Sequence, residues 1–136
     1  MNTVAESAPA AFAFAIAGIS IPPIGARLEG EGGTFEAAMK GEPGAPDYLL
    51  ILHDEHREDA QWKDQMAWAA GLEADGHKDF TLPNRRELNA LRANARDKFN
   101  DDWYWSCEPN GSDFAWFQGF NNGTQSSYSQ GSFSRA

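Results

Sequence analysis

The densest group of possible metal ligands lies in one short segment. His53, Asp54, Glu55, His56 and Asp59 supply imidazole and carboxylate groups close together in the sequence, and such groups suit zinc or a similar ion. A metal motif also needs a second set of ligands at matching spacing, and none is evident elsewhere in the chain. A charged loop after a strand needs no metal. We therefore predict no metal site and no cofactor.

A second candidate for metal chemistry is the tripeptide Glu108-Pro109-Asn110. Its carboxylate and amide oxygens are ligand types that calcium prefers, and calcium-dependent lectins use the same tripeptide to hold the ion and a sugar. Those lectins add a Trp-Asn-Asp element later in the chain, and no such element follows Asn110. The sequence favours a turn between two strands, with calcium binding as the open alternative.

The sequence carries no recognisable catalytic set. It has no nucleophile-elbow motif, and residues 30–33 lack the lysine and the strand-to-helix setting of a phosphate-binding loop. Cys107, the single cysteine, stands between Ser106 and Glu108 without a partner that would activate a nucleophile. We predict that its thiol is buried beside Trp105 and inert, and that the protein is not an enzyme.

Polar and aromatic residues are interspersed in the C-terminal third of the chain. Tyr, Ser, Asn and Gln are typical of adaptable binding loops, because they offer contact area and hydrogen bonds at a low cost in conformational entropy. The predicted ligand-binding residues are Tyr104, Asn110, Ser112, Gln118, Asn121, Asn122, Gln125 and Tyr128. Strand alternation separates the nearby aromatic residues into two sets, and we expect one set to face inward.

Charge and composition limit the classes of partner. Twenty carboxylates oppose eleven Lys and Arg, and the resulting net charge of −9 repels nucleic-acid phosphates and anionic membranes. A chain of 136 residues with 41% hydrophobic content has the size of one domain. Residues 8–24 are apolar but contain no Lys or Arg and are interrupted by Gly and Pro, so we predict neither a signal peptide nor a membrane span. One cysteine fits a reducing compartment, and we expect a soluble, cytoplasmic protein.

The elements that must position these residues begin with strands. Alternation of large and small side chains predicts a strand over residues 11–17, with a short helix as the open alternative because the segment is rich in Ala. Glycine and proline punctuate residues 25–46 and leave a hairpin-like stretch at residues 34–39. The continuous apolar run Tyr48–Leu52 predicts a strand that is covered on both faces.

Two helices follow in the sequence. Residues 59–74 predict the first, with Asp59 as the N-cap and Gly76 just beyond the end. Its predicted apolar stripe is Trp62, Met66, Ala69 and Ala70. The second begins at Asn84, because Glu87 three residues later completes a capping box. Its predicted apolar stripe is Leu88, Leu91, Ala95 and Phe99.

The chain after Asp102 is typical of a β-meander. Alternation predicts strands at residues 103–107, 114–120 and 124–128, joined by turns at residues 109–112 and 121–123. The fold class is therefore α+β, with two helices flanking small antiparallel β-sheets.

Three blocks of sequence carry a family resemblance. They are Asp79-Phe80-Thr81-Leu82-Pro83-Asn84-Arg85-Arg86-Glu87-Leu88, Trp103-Tyr104-Trp105-Ser106, and Ala115-Trp116-Phe117 with Phe120 and Gly123. Their order and spacing resemble the Lcl C-terminal domain family of bacterial surface proteins and prophages. The resemblance covers residues 48–136 and implies a C-type-lectin-like fold with a ligand-binding, loop-rich C-terminal face. We predict that residues 1–47 form an N-terminal strand and hairpin region, and that the whole chain, 1–136, is a single domain.

The resemblance implies a non-catalytic recognition module of phage or prophage origin, located in the host cytoplasm or on the phage particle. We expect it to bind a protein or a glycan through its C-terminal loops. Family members usually continue past Ser134-Arg135-Ala136 into a further strand that contains Arg and Val. Because the sequence stops at that segment, we expect an edge there that is available for self-association.

An alternative function follows from the acidic surface. A small phage-encoded inhibitor of the anti-CRISPR kind would occupy a basic, nucleic-acid-handling surface of a host protein complex. Its predicted contacts are Asp54, Glu55, Glu58 and Asp59.

Overall fold

The structure is a computed structural model that describes residues 22–136. The strand predicted at residues 11–17 lies outside the described residues. The described chain contains two α-helices and two three-stranded antiparallel sheets, so the predicted α+β class is confirmed at that level.

Glycine turns and short apolar runs produce the first sheet. Its strands, in spatial order, are β1 (Arg27–Leu28), β2 (Gly33–Met39) and β3 (Tyr48–Leu52). Gly30 and Gly32 take positive φ angles of 78° and 90° in the turn between β1 and β2, where a side chain would strain the backbone. The register of β2 against β3 shifts between Phe35 and Ala37, which marks a β-bulge at Glu36.

The burial of β3 differs from the prediction, although its bounds are as predicted. Leu49 is buried, whereas the other four residues of the strand are only half-buried. Ile51 nevertheless packs with Leu49 in one core cluster, and Leu50 and Leu52 pack on another, so both faces are covered, but incompletely. An apolar run does not distinguish an interior strand from an outer strand that borders an open groove.

Helix α1 (Trp62–Ala70) is shorter than the predicted helix at residues 59–74. Gln61 rather than Asp59 occupies the N-cap position, and no side chain caps the helix. Ala60 instead exchanges two backbone hydrogen bonds of 3.1 Å with Ser134, and the Trp62 amide donates to the Gln130 carbonyl. Backbone groups of the C-terminal segment therefore pair with the start of α1, where the sequence predicted that the Asp59 side chain would cap the helix.

The face that α1 buries also differs in part from the predicted stripe. Ala69 is buried, and Trp62 and Met66 are half-buried, as the spacing predicts. Ala70 is exposed, whereas Gln65 is fully buried because its Nε2 donates to the carbonyls of Glu58 and Ser134.

Helix α2 (Arg85–Ala95) begins with the predicted capping box. The Asn84 Oδ1 accepts from the Glu87 amide, and the Glu87 Oε1 accepts from the Asn84 amide, each at 2.8 Å. A short 3-10 helix (Arg96–Lys98) follows the last turn, so Phe99 packs against the core from beyond the helix. The buried stripe is Leu88, Leu91 and Ala95.

The second sheet contains β4 (Trp103–Asn110), β5 (Phe114–Gly119) and β6 (Gln125–Ser129) in that order. The β-meander is confirmed, but β4 is longer than predicted and includes Pro109 and Asn110. The connecting turn is therefore residues 111–113 rather than 109–112. A register shift between Trp105 and Pro109 accommodates the proline, which cannot donate to a sheet.

The second sheet is covered on both faces. Trp105, Ala115 and Phe117 join Ala69 of α1 and Leu82 in one core cluster. Tyr104 and Phe120 join Leu88 and Leu91 of α2 in another. Both faces of β4 thus contribute an aromatic side chain to a core cluster, which is more than the one inward-facing set that we expected. Full burial of each Leu side chain contributes roughly 1.5–3 kcal/mol.

Helix α2 also connects the two sheets. The Nδ2 of Asn94 donates to the carbonyl of Glu36 in β2 at 2.7 Å, and the Nζ of Lys98 lies 2.6 Å from the Glu36 Oε2. A third small core cluster, centred on Phe35 and Leu49, lies within the first sheet. None of the helices in residues 22–136 has the length and apolar character needed to cross a bilayer.

Candidate functional site

Three aromatic side chains cluster on the second sheet beside solvent. The ring centroids of Trp103, Phe117 and Tyr128 lie 5.0–5.2 Å apart, and the Trp103 and Phe117 rings are stacked at an interplanar angle of 29°. Phe117 is buried beneath the other two, whereas Trp103 and Tyr128 are each 40% exposed. Large exposed aromatic faces of this kind are typical of contact surfaces.

Strand register brings these rings together. Trp103 pairs with Gly119, Phe117 with Ser126, and Tyr128 with Ala115. Directly paired residues, and those two positions apart on one strand, project from the same face of a sheet. Gly119 provides room for the indole, since a Cβ at that position would lie 3.3 Å from the Trp103 Cδ1.

Two asparagines of the β5–β6 turn lie next to the indole. The point that a Cβ atom would occupy on Gly119 is close to all three side chains. It lies 3.0 Å from the Asn121 Oδ1 and 3.4 Å from the Asn122 Oδ1, in addition to its 3.3 Å from the indole. Each Oδ1 accepts a backbone amide of the turn, from Asn122 and Thr124 respectively. Within residues 22–136 neither Nδ2 donates a hydrogen bond, so both exposed amides have donors available. We call Trp103, Asn121, Asn122 and Tyr128 the aromatic–amide surface.

Two of the predicted binding residues are buried. Tyr104 is 4% exposed, its hydroxyl accepts from the Asn100 amide, and burial raises its pKa. Gln118 is 1% exposed, and its Oε1 accepts from the Gln125 Nε2 at 2.7 Å. Their assignment to a ligand-binding surface was wrong, because α2 covers their face of the sheet.

Gln125 is half-buried and holds the start of α2 against the sheet. Its Oε1 accepts from the Arg85 Nε at 3.0 Å, and its Nε2 donates to the Arg85 carbonyl at 2.8 Å. The Arg85 guanidinium lies 3.7 Å from the ring centroid of Trp116. These contacts are internal and stabilise the packing of helix on sheet.

The exposed members of the predicted set divide between two ends of the second sheet. Asn121, Asn122 and Tyr128 belong to the aromatic–amide surface. Asn110 and Ser112 lie at the opposite end of β5, where the Asn110 Nδ2 donates to the Ser127 Oγ. The predicted set omits Trp103. Its place in the binding surface follows from its pairing with Gly119, the glycine that precedes the Asn121-Asn122 turn.

The calcium-like tripeptide has structural partners. The Glu108 Oε2 accepts from the amide of Arg85, the first residue of α2, at 2.8 Å. This contact places a carboxylate at a helix N-terminus, where the helix dipole favours negative charge. Across residues 22–136, no three His, Cys, Asp or Glu side chains are grouped as metal ligands.

The histidines of the 53–59 segment contact different aromatic rings. His53 packs edge-on against Phe80 at 4.8 Å, and His56 packs edge-on against Phe99 at 5.4 Å. Cys107 is half-buried rather than buried, and it packs against the Trp105 cluster. Burial, together with the carboxylates of Glu87 and Glu108, raises the pKa of its thiol to about 11, so little thiolate forms at neutral pH.

The four predicted acidic contacts are exposed, but arginines pair with three of them. Arg27 donates to Asp54 at 2.7 Å. Arg135 lies 3.3 Å from Glu58 and 4.0 Å from Asp59. Glu55 makes no ion pair within the described part of the chain. The local charge of the segment is therefore smaller than the sequence indicates.

Comparisons with known proteins do not place the chain in a family. Neither the scan against protein-family models nor the search of curated proteins finds a match. The resemblance to the Lcl C-terminal domain family remains a prediction from the sequence.

Proposed function

We propose that the protein is a non-catalytic recognition module that binds a protein or a glycan through the aromatic–amide surface. The observation that carries this proposal is the convergence of two exposed rings, Trp103 and Tyr128, with the free amide donors of Asn121 and Asn122. Phe114, the other exposed aromatic residue of this sheet, lies at the far end of β5, away from the two asparagines.

The chemistry of the surface suits recognition. Tryptophan and tyrosine faces stack on sugar rings or on apolar side chains, and they lose little conformational entropy on binding. Amide donors beside the rings add direction through hydrogen bonds to hydroxyl or carbonyl groups. The buried Phe117 ring fixes the Trp103 indole before a ligand arrives, which lowers the cost of ordering the site.

We further propose that the domain is C-type-lectin-like and derives from a phage or prophage, as the resemblance to the Lcl family implies. The two helices, the two small antiparallel sheets and the polar turns of the second sheet support this assignment. In this proposal the β5–β6 turn belongs to the loop-rich binding face. The fold alone would not identify the ligand.

The acidic-inhibitor function is the second proposal. The net charge of −9 and the exposed side chains of residues 54–59 support it. Pairing with Arg27 and Arg135 weakens it, because paired charges attract a basic partner less strongly. Salt dependence distinguishes the two proposals, since attraction between exposed charges is screened and aromatic stacking is not.

The experiment is affinity capture from bacterial lysate at low and high salt, with a glycan array in parallel. The test variants are Tyr128→Ala and Asn122→Ala. The matched control is Ile24→Ala, which removes an exposed apolar side chain in the turn before β1. We expect a ligand that is retained at high salt by the wild type and by Ile24→Ala, and lost by both test variants.

Two results would contradict the leading proposal. Capture that disappears at high salt and depends on Glu55 or Glu58 would support the acidic inhibitor instead. Capture that is equal for wild type and for Tyr128→Ala would exclude the aromatic–amide surface as the binding site.

A further inference from the structure

An open apolar groove lies along β3, between the two sheets. It encloses about 390 Å³, within the range of roughly 300–1,000 Å³ that is usual for ligand sites. The residues that line it include all five residues of β3, Leu72, Leu82, and Tyr104 and Trp105 of β4. No residue of the aromatic–amide surface lines it, so the groove is a separate feature of the described chain.

One wall of the groove is the free edge of a strand. β3 is the outermost strand of its sheet, and within residues 22–136 its backbone forms hydrogen bonds only with β2. Such an edge presents unpaired N–H and C=O groups, which an added strand can satisfy. The five residues of β3 extend over roughly 17 Å, at about 3.3 Å per residue.

The charged residues that line the groove favour a cationic strand. Its lining contains four carboxylate residues and no Lys or Arg. Two of them are engaged, since Glu31 lies 3.6 Å from the His77 Nε2 and the Glu87 Oε2 accepts from the Tyr48 hydroxyl. Glu55 and Asp79 are exposed and make no ion pair with any other described residue. These two carboxylates favour a cationic group beside the apolar walls.

We propose that the groove binds an extended peptide of a partner protein, in which apolar residues alternate with Lys or Arg, as an additional strand on β3. The apolar side chains enter the groove, the peptide backbone pairs with the β3 edge, and the basic side chains reach Glu55 and Asp79. Residues 1–21 of this chain match these requirements less well, because they contain no Lys or Arg. This site goes beyond the leading proposed function, since it uses none of the residues of the aromatic–amide surface and another recognition mode. It shares Glu55 with the acidic-inhibitor proposal, and strand pairing, which the N-methylated peptide tests, distinguishes the two.

The test is a fluorescence-anisotropy titration of the full chain with a labelled octapeptide of alternating valine and lysine. Two comparison peptides replace lysine by glutamate or carry N-methyl groups on alternate backbone nitrogens. We expect the lysine peptide to bind at least about tenfold more tightly than either comparison peptide, since one lacks the charge complement and the other lacks the N–H donors of a strand.

The protein variants are Glu55→Lys with Asp79→Lys, and the matched control is Asp97→Lys, an exposed carboxylate on the 3-10 helix outside the groove. All are surface changes, and circular dichroism checks that they stay folded. We expect the double variant to weaken binding of the lysine peptide by about tenfold and the control to change it less than about twofold.

Several outcomes would overturn the proposal. One is equal binding of the N-methylated peptide, which would exclude strand addition. Another is equal binding to the double variant and to the control, which would exclude the groove as the site. Failure of the lysine peptide to bind the folded wild type also overturns it, as do nuclear Overhauser contacts between β3 and Phe12 or Phe14, which would show that the chain itself occupies the groove.

Discussion

Individual side chains in this protein have roles that their types alone do not reveal. Gln65, Gln118 and Glu36 are polar and fully buried, whereas Trp103 and Tyr128 are aromatic and partly exposed. Each of the three buried residues has a hydrogen-bond partner that is distant in sequence or on a neighbouring strand, but the Glu36 Oε1 and the Gln65 Oε1 accept no hydrogen bond within residues 22–136. Burial without such partners would cost about 1–3 kcal/mol per group.

His56 gives the clearest prediction at the scale of one residue. Although the residue as a whole is exposed, partial desolvation of the ring beside Phe99 and the nearby Arg135 guanidinium lower the pKa of its imidazole in the folded state. The unfolded chain therefore binds a proton more readily, so this residue's contribution to stability falls as the pH decreases below the unfolded value of about 6.5. Urea unfolding of wild type and His56→Gln, between pH 7.5 and 5.5, measures the effect.

We expect the free energy of unfolding of the wild type to fall more than that of His56→Gln over this pH interval. The comparison isolates His56, because the acidic residues titrate in both proteins. Equal losses in the two proteins would show that His56 does not contribute.

At the scale of elements, α2 is the part of the fold that local sequence specifies best. The Asn84 and Glu87 capping box and the stripe through Leu88, Leu91 and Ala95 predict its start and its buried face. Replacement of Asn84 by Ala removes the acceptor of the Glu87 amide and should cost about 1 kcal/mol. Denaturant unfolding measures the change.

Asn89→Ala is the matched control for the cap. Asn89 is exposed within the same helix, where alanine has the higher helix propensity, so the control should be neutral or slightly stabilising. A loss of equal size in both variants would contradict the assignment of the cap.

The attachment of α2 and the following 3-10 helix to the first sheet depends on an ion pair whose carboxylate is buried. Lys98 lies 2.6 Å from the carboxylate of Glu36, which is 0% exposed and also accepts from the Thr34 hydroxyl. Lys98→Ala leaves that carboxylate buried without a cation, and we expect a loss of about 3 kcal/mol. The double variant Glu36→Gln with Lys98→Ala should recover part of the loss, because it removes the isolated charge. Additive losses in the double variant would contradict this account.

Other elements could not be predicted from the sequence because their determinants are non-local. The start of α1 depends on carbonyls of Gln130 and Ser134, far along the chain, so the local signal at Asp59 was misleading. Alternation separated the faces of β4 correctly, but it could not show that helices cover both of them, and Tyr104 was therefore misassigned. The β5–β6 turn, by contrast, was predicted by the local Asn-Asn-Gly sequence.

At the scale of the whole molecule, α2 links the two sheets into one unit. It packs on β4 and β5 through Leu88 and Leu91, and it contacts β2 through Asn94. We therefore expect one cooperative unfolding transition. The tryptophans lie only in α1 and the second sheet, so their fluorescence reports on that half, whereas far-ultraviolet circular dichroism reports on both.

Coincident transitions by the two probes would agree with a single domain at residues 22–136. A circular-dichroism change that precedes the fluorescence change would indicate that the first sheet unfolds separately. The Lys98→Ala variant tests the link itself, because weaker attachment of α2 should separate the two transitions.

The measurement that tests the central claim most directly is the affinity of the captured ligand for wild type, Tyr128→Ala and Ile24→Ala at two salt concentrations. We predict a loss of at least about tenfold for Tyr128→Ala alone, with little change between the two salt concentrations. Unchanged affinity of Tyr128→Ala, together with affinity that collapses at high salt, would contradict recognition through the aromatic–amide surface.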